Sequence, residues 1–193
     1  MASLVLSGDT SGSITVSAPA VSGSNTQTLV ATTGTLAPIV SGTTITLTNQ
    51  TAPDFTSIPS WVKRITLMFN GVSPNSTGTL LVQLGDAGGY ETTGYGSSMS
   101  YLLNATVAAT TNVSTGFLAG TFGSAGAAYN GIMTIATLGS NVWVMSVNLN
   151  DSASTRTFFG SGAKTLSDTL TSVRLYIDGT QQFDAGTINI LYE

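Results

Sequence analysis

Asp86 and Glu91 come closest to a pair that could do chemistry: two carboxylates on either side of the turn sequence Ala87-Gly88-Gly89-Tyr90. Brought together, such a pair can divide acid and base work in glycoside cleavage, or supply oxygen ligands to Ca2+. The same spacing suits a turn in which Asp86 caps its own backbone and Glu91 stays in solvent. His and Cys are both absent. That removes the Ser-His-Asp and Cys-His nucleophiles, the usual zinc ligands and any disulfide together. The expectation is a chain with no catalytic residue, no metal ligand and no cofactor. Tyr90, Tyr95 and Tyr101 are the candidate ligand-facing residues, because a tyrosine ring can stack on a sugar while its hydroxyl bonds outward. The alternative is that these rings, with Tyr129, fill the end of a sandwich. The Gly-rich runs at 85–89 and 123–128 lack the strand, helix and Lys that a phosphate loop needs. Asp178-Gly179 reads as a hairpin turn.

The elements that must position these groups are strands. Val62 to Gly71 alternates with Ile65, Leu67 and Phe69 on one face and Arg64, Thr66 and Met68 on the other. Thr79 to Gly85 follows with Leu80, Val82 and Leu84 inward and Gln83 outward, and the short turn between the two segments predicts a hairpin. A second hairpin joins 132–138 to 142–149 through Gly139-Ser140-Asn141, with Trp143, Met145, Val147 and Leu149 on one face. Shorter strands are expected over 43–49, 95–103, 114–121, 172–178 and 187–193. Trp61 and Trp143 read as core residues. No segment has a sustained 3.6-residue period with caps, so helix content is expected to be near zero. The predicted fold is all-β, an antiparallel β-sandwich of jelly-roll type preceded by an extended N-terminal arm, with an immunoglobulin-like sandwich as the alternative.

Composition narrows the function. The chain has 193 residues, of which 41% are hydrophobic and only 7% charged, with a net charge of −4. A chain of that length buries roughly 70% of its unfolded surface, enough for one domain plus an arm. Only Lys63, Arg64, Arg156, Lys164 and Arg174 are basic, too few to release counterions from a phosphate backbone, so nucleic acid is not an expected partner. No apolar run is long enough to span a bilayer and no basic leader precedes one, which predicts no membrane partner and synthesis in a cytoplasm. The division is an N-terminal arm over residues 1–40 and a sandwich domain over residues 41–193. In the arm, Ile14, Val16, Val21, Leu29 and Leu36 are too sparse to form a core of their own. They are the candidate assembly interface, because ordering each residue costs about 1–2 kcal/mol that only another surface can offset.

Gly8 to Leu36 resembles a module found near the N-termini of structural proteins of tailed bacteriophages. Its form is G-x-x-T/S-G-x-I/V-T-V-x-A-P-A-V-x-G-x-N-x-x-T-L-x-A-x-T-G-T-L, and Val30 stands where the module has Pro. Phe183 to Glu193 resembles the closing strand of short virion proteins of such phages, while Trp61 to Ser73 and Leu80 to Tyr95 resemble tail-fibre or head-decoration domains. The resemblance implies a non-enzymatic virion structural protein that decorates or cements a capsid. Its implied partners are its own copies, as a homotrimer, and the major capsid protein or other virion proteins. Its implied place is the virion, after synthesis in the host cytoplasm. The alternative is a tail-fibre or receptor-binding head that recognises host surface glycan.

Overall fold

The structure, a computed structural model, describes residues 3–7, 11–17, 38–103 and 106–193. The chain divides into two units, Met1–Leu36 and Ala37–Glu193. In the first, β1 (Ser3–Ser7) and β2 (Ser13–Ser17) form an antiparallel hairpin that pairs Leu4 with Val16 and Leu6 with Ile14. Residues 3–7 and 13–17 of the predicted extended arm are therefore paired strand. Val21, Leu29 and Leu36 lie outside the described residues.

The second unit begins with the short strands β3 (Val40–Ser41), β4 (Ile45–Thr46) and β5 (Asp54–Phe55). The long β6 (Arg64–Pro74) and β7 (Gly78–Asp86) follow, with β8 (Gly89–Tyr90) turned back on β7. Next come β9 (Gly96–Leu103), β10 (Thr106–Val113) and β11 (Phe117–Phe122). The meander β12 (Tyr129–Gly139), β13 (Val142–Asp151) and β14 (Arg156–Thr165) leads to β15 (Ser172–Ile177) and β16 (Phe183–Tyr192). No helix occurs among the described residues, and every strand pair is antiparallel. A nine-stranded sheet runs β10-β9-β14-β13-β12-β6-β16-β3, with β4 also on β16. A five-stranded sheet runs β11-β7-β15-β5, with β8 also on β7. Both feed one apolar core. Ile65, Leu67, Phe69, Trp143, Val147 and Ile190 come from the large sheet, and Leu80, Val82, Leu84 and Leu175 from the small one.

The β12–β13 connection is the hairpin its sequence predicts. Ser140 and Asn141 take φ of 49° and 60°, the left-handed pair of a type I′ turn, whose twist matches that of the flanking strands. The predicted β6–β7 hairpin does not form. β6 pairs with β12 and β16, while β7 pairs with β11 and β15, so the turn at 75–77 crosses from one sheet to the other. The Asp178-Gly179 turn does the same between β15 and β16, so it too is not a hairpin. Facing bulges supply the bend: Gly71 and Gly186 sit at φ of 62° and 96°, and a Cβ on Gly186 would collide with the Gly71 carbonyl. Asn75 and Gln182 then tie the two crossings together through backbone and side-chain bonds of 2.9 and 3.1 Å.

Two other expectations change. Gln83 lies on the face of β7 opposite Val82 and Leu84, as expected, yet it is buried and not solvated, because its amide donates to the Thr115 carbonyl at 2.6 Å while its carbonyl oxygen accepts from Arg174 Nε at 2.8 Å. Trp61 is exposed: it precedes β6 in a turn, outside the strand alternation, and leans on Tyr192 at 5.9 Å between ring centres.

Candidate functional site

Asp86 ends β7 and Glu91 follows β8, and the intervening turn folds both toward the loop after β14. Asp86 is buried and accepts from three donors: the Gly88 N–H at 2.8 Å, the Ser167 hydroxyl at 2.7 Å and the Asp168 N–H at 3.0 Å. The bond to Gly88 is the self-capping turn its sequence suggests. The Ser167 hydroxyl, then the Gly88 N–H, hold the Asp86 carboxyl below the usual carboxylate range against the opposing effect of burial. Glu91 is not solvated. It forms an ion pair with Lys164 and accepts the Ser167 N–H at 2.6 Å. Burial raises its pKa, but Lys164 and the Ser167 bonds outweigh that and leave it lowered.

Lys164 is the residue that sequence reasoning misses. It occupies an inward position of β14, opposite Trp143, and only 6% of its side chain is exposed. Its ammonium donates to the Thr93 carbonyl at 2.9 Å and stands 5.2 Å from the centre of the Tyr95 ring. The signal available in sequence is a lysine in the inward register of a strand. A buried ammonium needs a partner, and that partner lies more than seventy positions upstream, where no local pattern points to it. The group is a clamp fastening 86–95 to 164–168. Its carboxylates are engaged by N–H, O–H and ammonium donors, so they are poorly placed to accept a substrate proton. Among the described residues no three acidic, His or Cys side chains converge as metal ligands.

The three tyrosines do not form one surface. Tyr95 is only 3% exposed. Its oxygen accepts from the Leu84 N–H at 2.8 Å, its hydroxyl donates to the Glu91 carbonyl at 3.1 Å, and its ring meets Phe117 edge-on. Burial pushes its hydroxyl up to about 12. A ring so enclosed presents no face to a sugar. Tyr90 is half-buried on the small sheet, donating to Asp54 at 2.7 Å beneath the Arg174 guanidinium, which lies 4.3 Å from its ring centre. Burial, then the bond to Asp54, raises it to about 12. Tyr101 packs on Phe158 beside the stacked Phe122–Tyr129 pair, with Arg156 5.7 Å from its ring centre.

In the N-terminal hairpin, Val16 is 59% exposed and its neighbours Val5 and Leu6 are 54% and 53% exposed, while Ile14 pairs across with Leu6. In the body, a cleft of about 200 Å3 lies among Pro59, Lys63, Thr137, Asn141, Trp143 and Thr169. The Trp143 indole N–H has no partner and is closed off from solvent. The chain matches no protein-family model, no curated protein and no solved structure.

Proposed function

We propose that this chain is a non-enzymatic structural protein of a phage particle, a capsid decorator or cement, whose first unit docks on neighbouring copies in threefold fashion. The body is read as a sandwich of jelly-roll type, supported by the two strand pairs, β6/β16 and β7/β15, that cross together between sheets. The observation that carries the functional reading is the β1–β2 hairpin. A lone two-stranded ribbon is marginally stable in water, and this one holds Val5, Leu6 and Val16 more than half exposed. Such a ribbon gains order by laying its apolar side chains on another subunit. The clamp supports the same reading, because the best-placed carboxylates and the buried lysine are engaged with one another.

Truncation tests it. The cut belongs after Leu36, because Val40 and Ser41 pair with Tyr192 and Leu191 and are part of the body. The shortened chain keeps a β-rich circular dichroism spectrum, and its number of copies in light scattering falls threefold relative to the full chain. An unchanged copy number, or a full chain that is monomeric, overturns the reading.

A further inference from the structure

Inward positions of the large sheet are mostly apolar, with exceptions such as Ser97 and Lys164, but its outward positions depart from an ordinary solvated β-face. Cross-strand registers set them in rows. One row, Ser98, Ser161, Ser146, Thr134 and Thr66, is hydroxyl across five strands. The next holds Ser100, Phe159, Asn148, Ile132, Met68 and Asn189. A third joins Val107, Leu102, Thr157 and Asn150. On the other side Ala163, Val144 and Ala136 end at Arg64, whose guanidinium is paired with Glu193 at the rim. No other charged residue stands in these rows. Ile132, Phe159 and Val107 are 50%, 40% and 64% exposed, large apolar side chains that a solvated face usually replaces with charge.

We propose that this face is a self-association surface, on which a second copy of the chain packs sheet to sheet across a two-fold axis. The first argument is charge. The chain carries nine acidic and five basic residues; Asp54, Asp168 and Asp178 are exposed elsewhere on the body, and Asp184 is exposed at the start of β16, outside the rows. Two copies meeting through the neutral face escape the like-charge repulsion those carboxylates impose. The second is self-complementarity. A two-fold contact sets the same patch against itself, and Ser, Thr and Asn each carry donor and acceptor, so identical rows can bond one another. A partner of different sequence would be met as well by a charged face. The third is size. The four rows hold nineteen residues spread over seven strands, and at about 4.8 by 6.8 Å each they cover on the order of 600 Å2, or about 1,200 Å2 over two copies, the lower end of a specific interface. Phe159 and Ile132 flank Asn148 near the middle and are the apolar anchors.

The test uses the full chain. Ile132→Lys with Phe159→Lys places four ammonium groups in the paired faces, and both positions are exposed, so the fold is retained. The copy number in light scattering halves, with the circular dichroism spectrum unchanged. Because the chain has no cysteine, Asn148→Cys gives an independent readout. Asn148 lies on β13, the middle strand of the seven, so a central axis brings its two copies together and mild oxidation yields a covalent dimer. Thr180→Cys, in the β15–β16 turn, does not. An unchanged copy number in the double variant, a monomeric native chain, or equal cross-linking at both cysteines overturns the proposal. The hairpin and the face fail separately: the truncated chain reports on the first, these variants on the second.

Discussion

The clamp at 86–95 and 164–168 and the outward face of the nine-stranded sheet use opposite chemistry. The clamp gathers Asp86, Glu91 and Lys164 and engages them with one another and with Ser167. The face carries hydroxyls, amides and apolar groups and leaves Phe159 and Ile132 in water. In sequence the clamp looks like the reactive place and the face shows only alternation. In a chain with 7% charged residues, the clamp holds its ions where low dielectric magnifies each bond, and exposed carboxylates such as Asp54, Asp168 and Asp178 lie away from the face. The groups left to meet a partner are the neutral ones.

Removing the clamp's cation is the sharpest way to break that contrast. Lys164→Met leaves the Glu91 carboxylate in a half-buried site without its counter-charge, a change expected to cost about 3 kcal/mol in urea denaturation at neutral pH. Adding Glu91→Gln removes the stranded charge and recovers most of the loss. Light-scattering copy number is unchanged in both. A single variant within about 0.5 kcal/mol of the native chain makes the clamp a surface feature and removes the contrast.

Strands whose inward residues are bulky and alternate are legible in the sequence, and β6, β13 and β15 follow that pattern. β14 is not, because Arg156 to Thr165 interrupts the alternation with Gly160 and Gly162. Those glycines are imposed by β9: a Cβ on Gly160 would lie 2.7 Å from the Ser98 carbonyl oxygen, and one on Gly162 2.8 Å from that of Gly96. Close approach by a strand more than fifty positions away leaves no local mark. The crossing turns fail for a related reason. The 75–77 and 140–141 connections both read as short turns, and only pairing by distant strands separates a hairpin from a change of sheet. Asp86 and Glu91 are legible as a turn, while Lys164, Ser167 and Asp168 join them only through the fold.

Acid and alkali probe the clamp and the buried tyrosines from opposite sides. Asp86 and Glu91 have folded pKa values below their unfolded ones, so the stability they contribute is fully present above the ordinary carboxylate range and is lost as pH falls through the folded values. Tyr90 and Tyr95 are raised to about 12, so their contribution is full below about 10 and falls away between about 10 and 12. Urea midpoints should therefore form a plateau from about pH 5 to 10 with a fall on each side. Asp86→Asn flattens the acid fall and leaves the alkaline one intact. An acid limb identical in that variant shows that Asp86 does not carry it.

The smallest effect separates the two faces of one strand. Ile132 and Met133 are adjacent on β12 with opposite outlooks, the first half-exposed and the second fully buried. Met133→Ala empties core volume and costs about 2–5 kcal/mol. Ile132→Ser touches no core contact and changes the stability of the dilute chain by less than about 0.5 kcal/mol. At high protein concentration the two conditions diverge, because association that favours the folded state raises the melting temperature by mass action, and a surface lacking its apolar anchor loses part of that rise. The measurement is therefore melting temperature against concentration. Native chain and Ile132→Ser coincide when dilute and separate when concentrated, with the native chain higher. Parallel curves that never separate would leave Ile132 an isolated exposed side chain, and the neutral face no more than solvated sheet.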